Sequence, residues 1–412
     1  MSGQAVSYEE LAPLVSNGWS RFATLLAQGG RGAAPGRDGR YVNVPLARGS
    51  TVLFPTLEAM RDNGRGAYDH QSIYGAMGSP VQHELEGLVA AVEGGAHTQI
   101  VSSGLAACTT PLLAFLGAGD HLLLPDSVYG PTRRFADTML ARFGVNTTYY
   151  PPCADETAIR SLIRPETKVV FTESPGSHTF EVQDIPMLAR AAHEAGALLM
   201  LDNTWGISVF QPFEHGVDIS IQALTKYPGG HSDIILGAAT VADEALWRRL
   251  RDSAIQLGQL GGPEDCWLTL RGLRTMGVRL QAQACAALRV ALWLRERPEV
   301  ARVFHPALPD CPGHMLWRRD FSGASALFGV ELSADFSVSA MEAMIDSLDM
   351  FGIGASWGGY ESLVLPSTGG IRRTLPQTPS GPAFRLQIGL EAPDDLISDL
   401  EQGLSVLRTV AA

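Results

Sequence analysis

The stretch that most constrains this chain is residues 198–231, LLMLDNTWGISVFQPFEHGVDISIQALTKYPGGH. It opens on an uncharged apolar run, Leu198 to Leu201, that ends on Asp202. A short apolar run bounded by polar residues reads as a buried strand, and an acid at its C-terminal end faces the crevice where α/β proteins bind ligands. Lys226 follows in Ala223-Leu224-Thr225-Lys226-Tyr227, after a second apolar segment. An α/β scaffold that brings these two ends together places a carboxylate and an amine in one crevice.

Such a pair is what pyridoxal phosphate needs. The cofactor takes a lysine for its Schiff base and a carboxylate that keeps its pyridine nitrogen protonated, so that the ring can withdraw electrons from a substrate Cα. A strand ending in Asp and an ordinary surface lysine produce the same letters, so the pair alone does not decide the matter. The wider pattern DNTWG…GVDISIQALTKYPGGHSD does more. It resembles the Cys/Met-metabolism family of pyridoxal phosphate-dependent enzymes, the cystathionine lyases and synthases, and within it the cystathionine β-lyase-like branch. The motifs that carry the resemblance spread over roughly residues 70 to 400.

Composition sets outer limits. The chain has 412 residues, enough for two packed domains, and is 45% hydrophobic, enough for a large core. Its net charge of −12, with no polybasic run, argues against nucleic-acid and anionic-membrane partners. The start, MSGQAVSYEELAPL, lacks a basic segment followed by an apolar core, so no signal peptide is expected. Residues 98–119 are uncharged but interrupted by Ser102, Ser103, Thr109, Thr110 and Pro111, and read as strand, loop and helix instead of a membrane span. The five cysteines are scattered, without a CxxC or Cys/His cluster, which suits a reducing cytoplasm and no metal.

Along the chain, residues 1–73 are Gly- and Arg-rich with weak periodicity. They are expected to form a disordered tail or an extended arm on a neighbouring subunit, and YVNVPL and TVLFPTLEAM favour an arm that packs. From about residue 80, apolar runs alternate with amphipathic helix patterns. Helices are expected at His83 to Val92, Ala106 to Leu116, Tyr129 to Arg142 and Ile185 to Gly196. Strands are expected at Ile100 to Ser102, Leu122 to Leu124, Val169 to Thr172, Leu198 to Leu201 and Ile234 to Val241. This alternation predicts a mostly parallel sheet covered on both faces in residues 74–270. From 271 to 412 the pattern changes to a long helix, Gly272 to Glu296, and alternating stretches at Leu327 to Leu332 and Ala383 to Ile388. A smaller α+β domain is expected there. The resemblance names this α/β architecture: the aspartate-aminotransferase-like transferase fold, fold type I.

Several further residues acquire roles through the resemblance. Ser103-Gly104-Leu105 is a plain turn by its letters, although a helix N-terminus with Gly binds phosphate well. The resemblance implies that these amides and the Thr225 hydroxyl hold the cofactor phosphate. Tyr129, by itself a core or capping aromatic, is implied to stack on the pyridine ring. Arg385 alternates with apolar neighbours in Phe384-Arg385-Leu386-Gln387, so it is either exposed or a buried anion clamp. The resemblance implies the clamp, a bidentate pair with the substrate α-carboxylate. The glycine-rich stretch beginning Ser356-Trp357 is implied to meet the same carboxylate. Gly176-Ser177 and the Trp357 form both resemble β-eliminating members. Tyr74 is implied to reach the active site and assist proton transfer, while Lys226 carries the Schiff base and the proton. His178 has no assignable role.

Two positions depart from the family pattern. Ala76 stands where an arginine would reach across a dimer to the phosphate, and Ala223 where a serine is usual. Either cofactor affinity is lower, or Arg61 or Arg65 substitutes. The implied activity is that of a carbon–sulfur lyase carrying out α,β-elimination of cystathionine or a related sulfur amino acid, with γ-elimination or γ-replacement, a pathway-specific carbon–sulfur lyase and an amino-acid racemase as rivals. A non-catalytic relative is disfavoured by Lys226, Asp202 and Arg385. A homotetramer, a dimer of dimers, is the expected assembly.

Overall fold

The computed structural model describes residues 6–32, 39–64, 68–374 and 379–411. A seven-stranded sheet organises the first part of the chain. Its strands are β1 (His97–Val101), β2 (His121–Pro125), β3 (Asn146–Tyr150), β4 (Thr167–Glu173), β5 (Leu198–Asp202), β6 (Ile219–Gln222) and β7 (Gly237–Val241). They lie in the order β1-β7-β6-β5-β4-β2-β3. Every neighbouring pair is parallel except those β7 makes with β1 and β6. β2 is buried at every position and β5 at its centre, which is why these strands read as unbroken apolar runs without alternation.

Helices cover both faces. Gly104–Phe115 and Glu244–Gln256 pack on one side, around Leu112, Phe171, Met200 and Trp247. Pro80–Glu93, Ile185–Glu194 and the long helix Pro263–Arg295 close the other. The parallel strands send their C-terminal ends to one edge, and the turn after each end is where side chains converge.

The long helix begins at Pro263, ahead of the expected Gly272. Pro at the first helical position tolerates its missing N–H there. Gly272 marks an internal packing point: a Cβ on it would lie 2.3 Å from the Gly229 carbonyl oxygen, so the helix admits the loop after Lys226 only because that atom is absent.

The second sheet comprises β8 (Val300–Phe304), β9 (Leu327–Leu332), β10 (Gly352–Ile353), β11 (Leu363–Pro366) and β12 (Ala383–Gln387), in the order β10-β11-β12-β9-β8. The helices Val338–Asp346 and Pro393–Ala411 bury Met341, Met344, Leu400 and Leu404 in its company. Among the described residues, no helix is long and apolar enough to cross a membrane.

The N-terminal segment departs from the expected arm over its first part. Tyr8–Ser16 and Ala23–Gln28 are helices, linked by a tight turn through Asn17–Phe22. Leu11, Val15, Trp19, Phe22 and Leu26 are buried in the chain's own core. Arg274, on the long helix, donates to the Leu26 carbonyl at 2.9 Å. The apolar spacing of these short helices was hidden by Pro13 within the first and Gly18 in the turn between them. Residues 39–56 are without helix and expose Tyr41, Val42 and Leu53, and Leu57 is exposed at the start of the next helix.

Candidate active site

The strand ends surround a cavity of about 290 Å³. Asp202 closes β5 and lies directly opposite Glu173, the last residue of β4, in the parallel register. Each Asp202 oxygen has its own donor. Thr204 gives Oδ1 two bonds, from its backbone N–H at 3.1 Å and its hydroxyl at 2.6 Å. Cys108 gives Oδ2 a thiol contact at 3.6 Å. The Ala223 N–H in turn donates to the Thr204 hydroxyl at 2.9 Å, so the turn that carries Lys226 is tied to the turn that follows Asp202. Burial raises the Asp202 carboxyl above its usual range, and the Thr204 and Cys108 bonds hold it back.

Lys226 lies in the turn after β6, its backbone fixed by a bond from its N–H to the Ala223 carbonyl at 3.0 Å. Its Nζ donates to Ser356 Oγ at 2.8 Å and sits 5.2 Å from the centre of the Trp357 ring. Burial, then the nearby Arg385 cation, lowers its pKa to about 8, with Asp202 acting in the opposite sense. A lysine there has a substantial neutral fraction near neutral pH, which is what an amine nucleophile or proton acceptor requires. Gly358 makes the close approach possible. Its φ is +86°, and a Cβ there would come within 2.8 Å of the Tyr227 nitrogen.

Ser103 caps the helix Gly104–Phe115, its side chain accepting from the Ala106 N–H at 3.1 Å. The N–H groups of Gly104 and Leu105 belong to the first turn, where no helical carbonyl can accept from them. Gly104 is required: a Cβ there would stand 2.5 Å from the Ala223 Cβ. Tyr129 borders the cavity, and its backbone N–H donates to Glu173 Oε2 at 2.6 Å. Burial pushes the Tyr129 phenol up, so it stays neutral. Arg385, on β12 of the second sheet, reaches the cavity from the opposite side and donates to the Ala355 carbonyl at 3.0 Å.

Ser103, Gly104, Leu105, Tyr129, Asp202 and Thr225 thus line one cavity with Lys226, Trp357 and Arg385. Ser356 joins them through its bond to Lys226. The Thr225 hydroxyl is engaged with the backbone, donating to the Leu236 carbonyl at 3.1 Å and accepting from the Leu236 N–H at 3.0 Å. Tyr74 is not brought in. It is 51% exposed, its backbone bridged to Thr51, and it does not border the cavity within its own chain. Ala76 sits beside it in the turn Gly75–Met77. Arg61 is exposed on the helix Leu57–Gly64 and away from this cavity, while Arg65 lies outside the described residues.

Three groups at the site were not singled out from the sequence. Glu173 accepts from the Tyr129 N–H and from the Ser177 hydroxyl at 2.6 Å, and burial with Asp202 beside it raises its pKa to about 8. Its signal was available, since it ends a buried strand just as Asp202 does. Cys108 and Thr204, the two side chains that orient Asp202, carried no signal before the fold placed them there. His178, left without a role, lines the cavity with its Nδ1 3.0 Å from Ser367 Oγ.

These residues fit pyridoxal phosphate. A glycine-bordered helix N-terminus suits a phosphate, a deprotonatable lysine suits an aldehyde carbon, and a double-anchored carboxylate suits a pyridinium nitrogen. A guanidinium suited to a phosphate is not found beside Ser103–Leu105 among the described residues lining the cavity. The cations there are Lys226 and Arg385.

Comparison with known proteins agrees with this geometry. The profile of the Cys/Met metabolism PLP-dependent enzymes matches residues 23–405. A putative cystathionine β-lyase of Rhizobium johnstonii is 48% identical over 374 residues, covering 90% of this chain and 93% of that one. A cystathionine β-lyase of Bordetella avium is 44% identical over 378 residues, with the same coverage. Among solved structures, a cystathionine γ-lyase from Lactobacillus plantarum complexed with L-serine superposes with a TM-score of 0.85 at 28% identity, covering 94% of this chain and 99% of that one.

Proposed function

The chain belongs to the Cys/Met metabolism PLP-dependent enzyme family, and from that premise we propose that it is a carbon–sulfur lyase that carries out α,β-elimination on cystathionine or a closely related sulfur amino acid. The observation that carries the reading is the convergence of Lys226, Asp202 and Arg385 on one cavity. Relatives named as β-lyases, at 48% and 44% identity, favour β over γ chemistry.

Bound pyridoxal phosphate supplies an electron sink for the pair released when the substrate Cα–H bond breaks. Ser103, Gly104 and Leu105 would hold its phosphate, Thr225 would brace the turn beside it, Asp202 would pair with its ring nitrogen and Tyr129 would face its ring. Arg385 receives the α-carboxylate of the amino acid as a guanidinium fork. Ser356 and Trp357 shape the same end of the cavity and hold the Lys226 amine until it is needed. Lys226 accepts the Cα proton. The Cβ–S bond then breaks, the sulfur departs as a thiol with one proton, and addition of water yields pyruvate and ammonia. Tyr74 of a neighbouring subunit serves as a further proton-transfer group.

The assembly that brings Tyr74 to a site is a homotetramer built from dimers, acting in the cytoplasm. The exposed apolar residues Tyr41, Val42, Leu53 and Leu57 support this, since large apolar side chains left in water on one segment suit a contact surface. Residues 39–73 form the part of the chain that reaches the neighbour, residues 74–270 the cofactor domain and residues 271–412 the smaller domain.

The deciding experiment is product analysis on cystathionine. Pyruvate with homocysteine supports the reading. Production of 2-oxobutyrate with cysteine identifies γ-elimination, and inversion at Cα without cleavage identifies a racemase.

A further inference from the structure

A second cavity, of about 20 Å³, lies behind the wall that Ser177 and His178 give to the first. One side comes from the turn after β2, with Asp126, Ser127 and Arg133. The other comes from the loop between β11 and β12, Gly370 to Arg373. It has room for one water or one small ion.

Its walls carry donors that find no acceptor among the described residues. Arg373 is 3% exposed, and its Nη2 donates to Thr179 Oγ1 and, at 3.1 Å, to Glu181 Oε1. Its Nε and Nη1 have no partner. Arg133 is 9% exposed, uses Nη1 on Thr374 Oγ1 at 3.1 Å and Nη2 on Asp126, and leaves Nε without a partner. Ser127 Oγ, on a residue 3% exposed, also has none. Buried donors are ordinarily satisfied, and leaving one bare costs about 1–3 kcal/mol. The carboxylates nearby are already engaged. Asp126 faces Arg133 and the Thr374 N–H at 2.9 Å, and Glu181 faces Arg373 and Thr179.

The ion pairs around the cavity leave its buried charge balanced. Arg133–Asp126 and Arg373–Glu181 are balanced pairs. His178 is kept neutral by burial and by Arg385 and Arg373, its pKa lowered to about 4. Arg372 also lines the cavity, from an exposed position where water screens its charge. The buried charges are balanced, so the number of bare donors decides between a water and an anion. A water offers two lone pairs and must also place two hydrogens, whereas a monatomic anion accepts from every side. A volume of about 20 Å³ matches a single small ion.

We propose that this cavity binds a small monovalent anion of halide size, chloride being the available one, held by Arg373, Arg133 and Ser127. The ion fastens the Gly370–Thr374 loop of the smaller domain onto the wall of the catalytic cavity, beside His178.

The test uses the holoenzyme. Crystals grown in sodium bromide give an anomalous bromine peak between Arg373, Arg133 and Ser127, and thermal unfolding rises saturably with chloride or bromide but not with gluconate at matched ionic strength. Ser127→Ala, which removes one donor and leaves both ion pairs intact, weakens halide binding about tenfold. Arg373→Gln abolishes it. Should Arg373→Gln not fold, the bromide peak and Ser127→Ala still decide. A normal-scattering water in the cavity of bromide-grown crystals, or equal unfolding temperatures in chloride and gluconate, overturns the proposal.

Discussion

The Lys226 amine is held 2.8 Å from Ser356 Oγ, so the lysine of the large sheet is tethered to a loop of the smaller one before any ligand arrives. Trp357 faces the same amine, and Gly358 lets the loop press on the lysine backbone. The amine is thereby both aimed and desolvated, and desolvation is the main reason its pKa lies near 8.

Replacing Lys226 tests the centre of the site. Lys226→Ala abolishes turnover and leaves the cofactor without its covalent link, because no second amine lines the cavity among the described residues. Absorption of the purified variant, which should lack the Schiff-base band near 420 nm, and a pyruvate assay check this. Normal turnover in Lys226→Ala would remove Lys226 from its role.

The lysine pKa predicts a pH dependence that is separate from turnover. The neutral amine is the reactive form, so the rate at which apoprotein takes up cofactor rises with pH through about 8 and levels off above it. The sign for stability follows from the same shift. The folded lysine releases its proton near 8 and the unfolded one near its ordinary 10.5, so the unfolded state binds more protons between these values. Apoprotein stability therefore gains a contribution as pH rises from about 8 to 10.5. Lys226→Met should remove both effects, read by stopped-flow absorbance and by denaturant titration across pH.

Asp202 is held at both oxygens, by Thr204 and Cys108. Asp202→Ala keeps the fold and loses most activity, since an unprotonated ring withdraws electrons poorly. Circular dichroism with a steady-state assay checks it, and near-native turnover counts against this pose.

Ala76 tests the phosphate site across subunits. If the missing guanidinium limits affinity, Ala76→Arg tightens cofactor binding by about ten- to a hundredfold, equivalent to one charge-assisted bond of roughly 1.5–3 kcal/mol. Titration of apoprotein with cofactor measures it. No gain would mean that Arg61 or Arg65 already serves or that the pocket is reshaped for a bulkier substrate, and weaker cofactor binding in Arg61→Ala or Arg65→Ala would identify a substitute.

The N-terminal helices predict a stability effect far from the chemistry. Trp19 is 2% exposed between the first helices and the long helix Pro263–Arg295. Trp19→Ala costs about 3–5 kcal/mol, measured by denaturant unfolding of the holoenzyme, because a large buried ring leaves a cavity. A loss under 1 kcal/mol would mean that these helices are not part of the core.

Much of the site is written locally in the chain. The apolar run ending on Asp202, the turn Ser103-Gly104 before a helix and the Thr225-Lys226 pair can be read from neighbouring letters, because strand ends and helix starts are set by short-range backbone and burial preferences. The Gly272 helix start and the helices at the beginning of the N-terminal segment went unseen for the same reason: a glycine that admits a distant loop, and short helices interrupted by Pro13 and Gly18, look like punctuation when only neighbours are visible. Glu173 opposite Asp202, the thiol of Cys108 on Asp202 Oδ2, Ser356 on the Lys226 amine and the bare donors of Arg373 and Arg133 are contacts between segments remote in sequence. They follow from strand register and from the packing of the two sheets and their helices, and the energies involved, desolvation and charge, exist only once those surfaces have met.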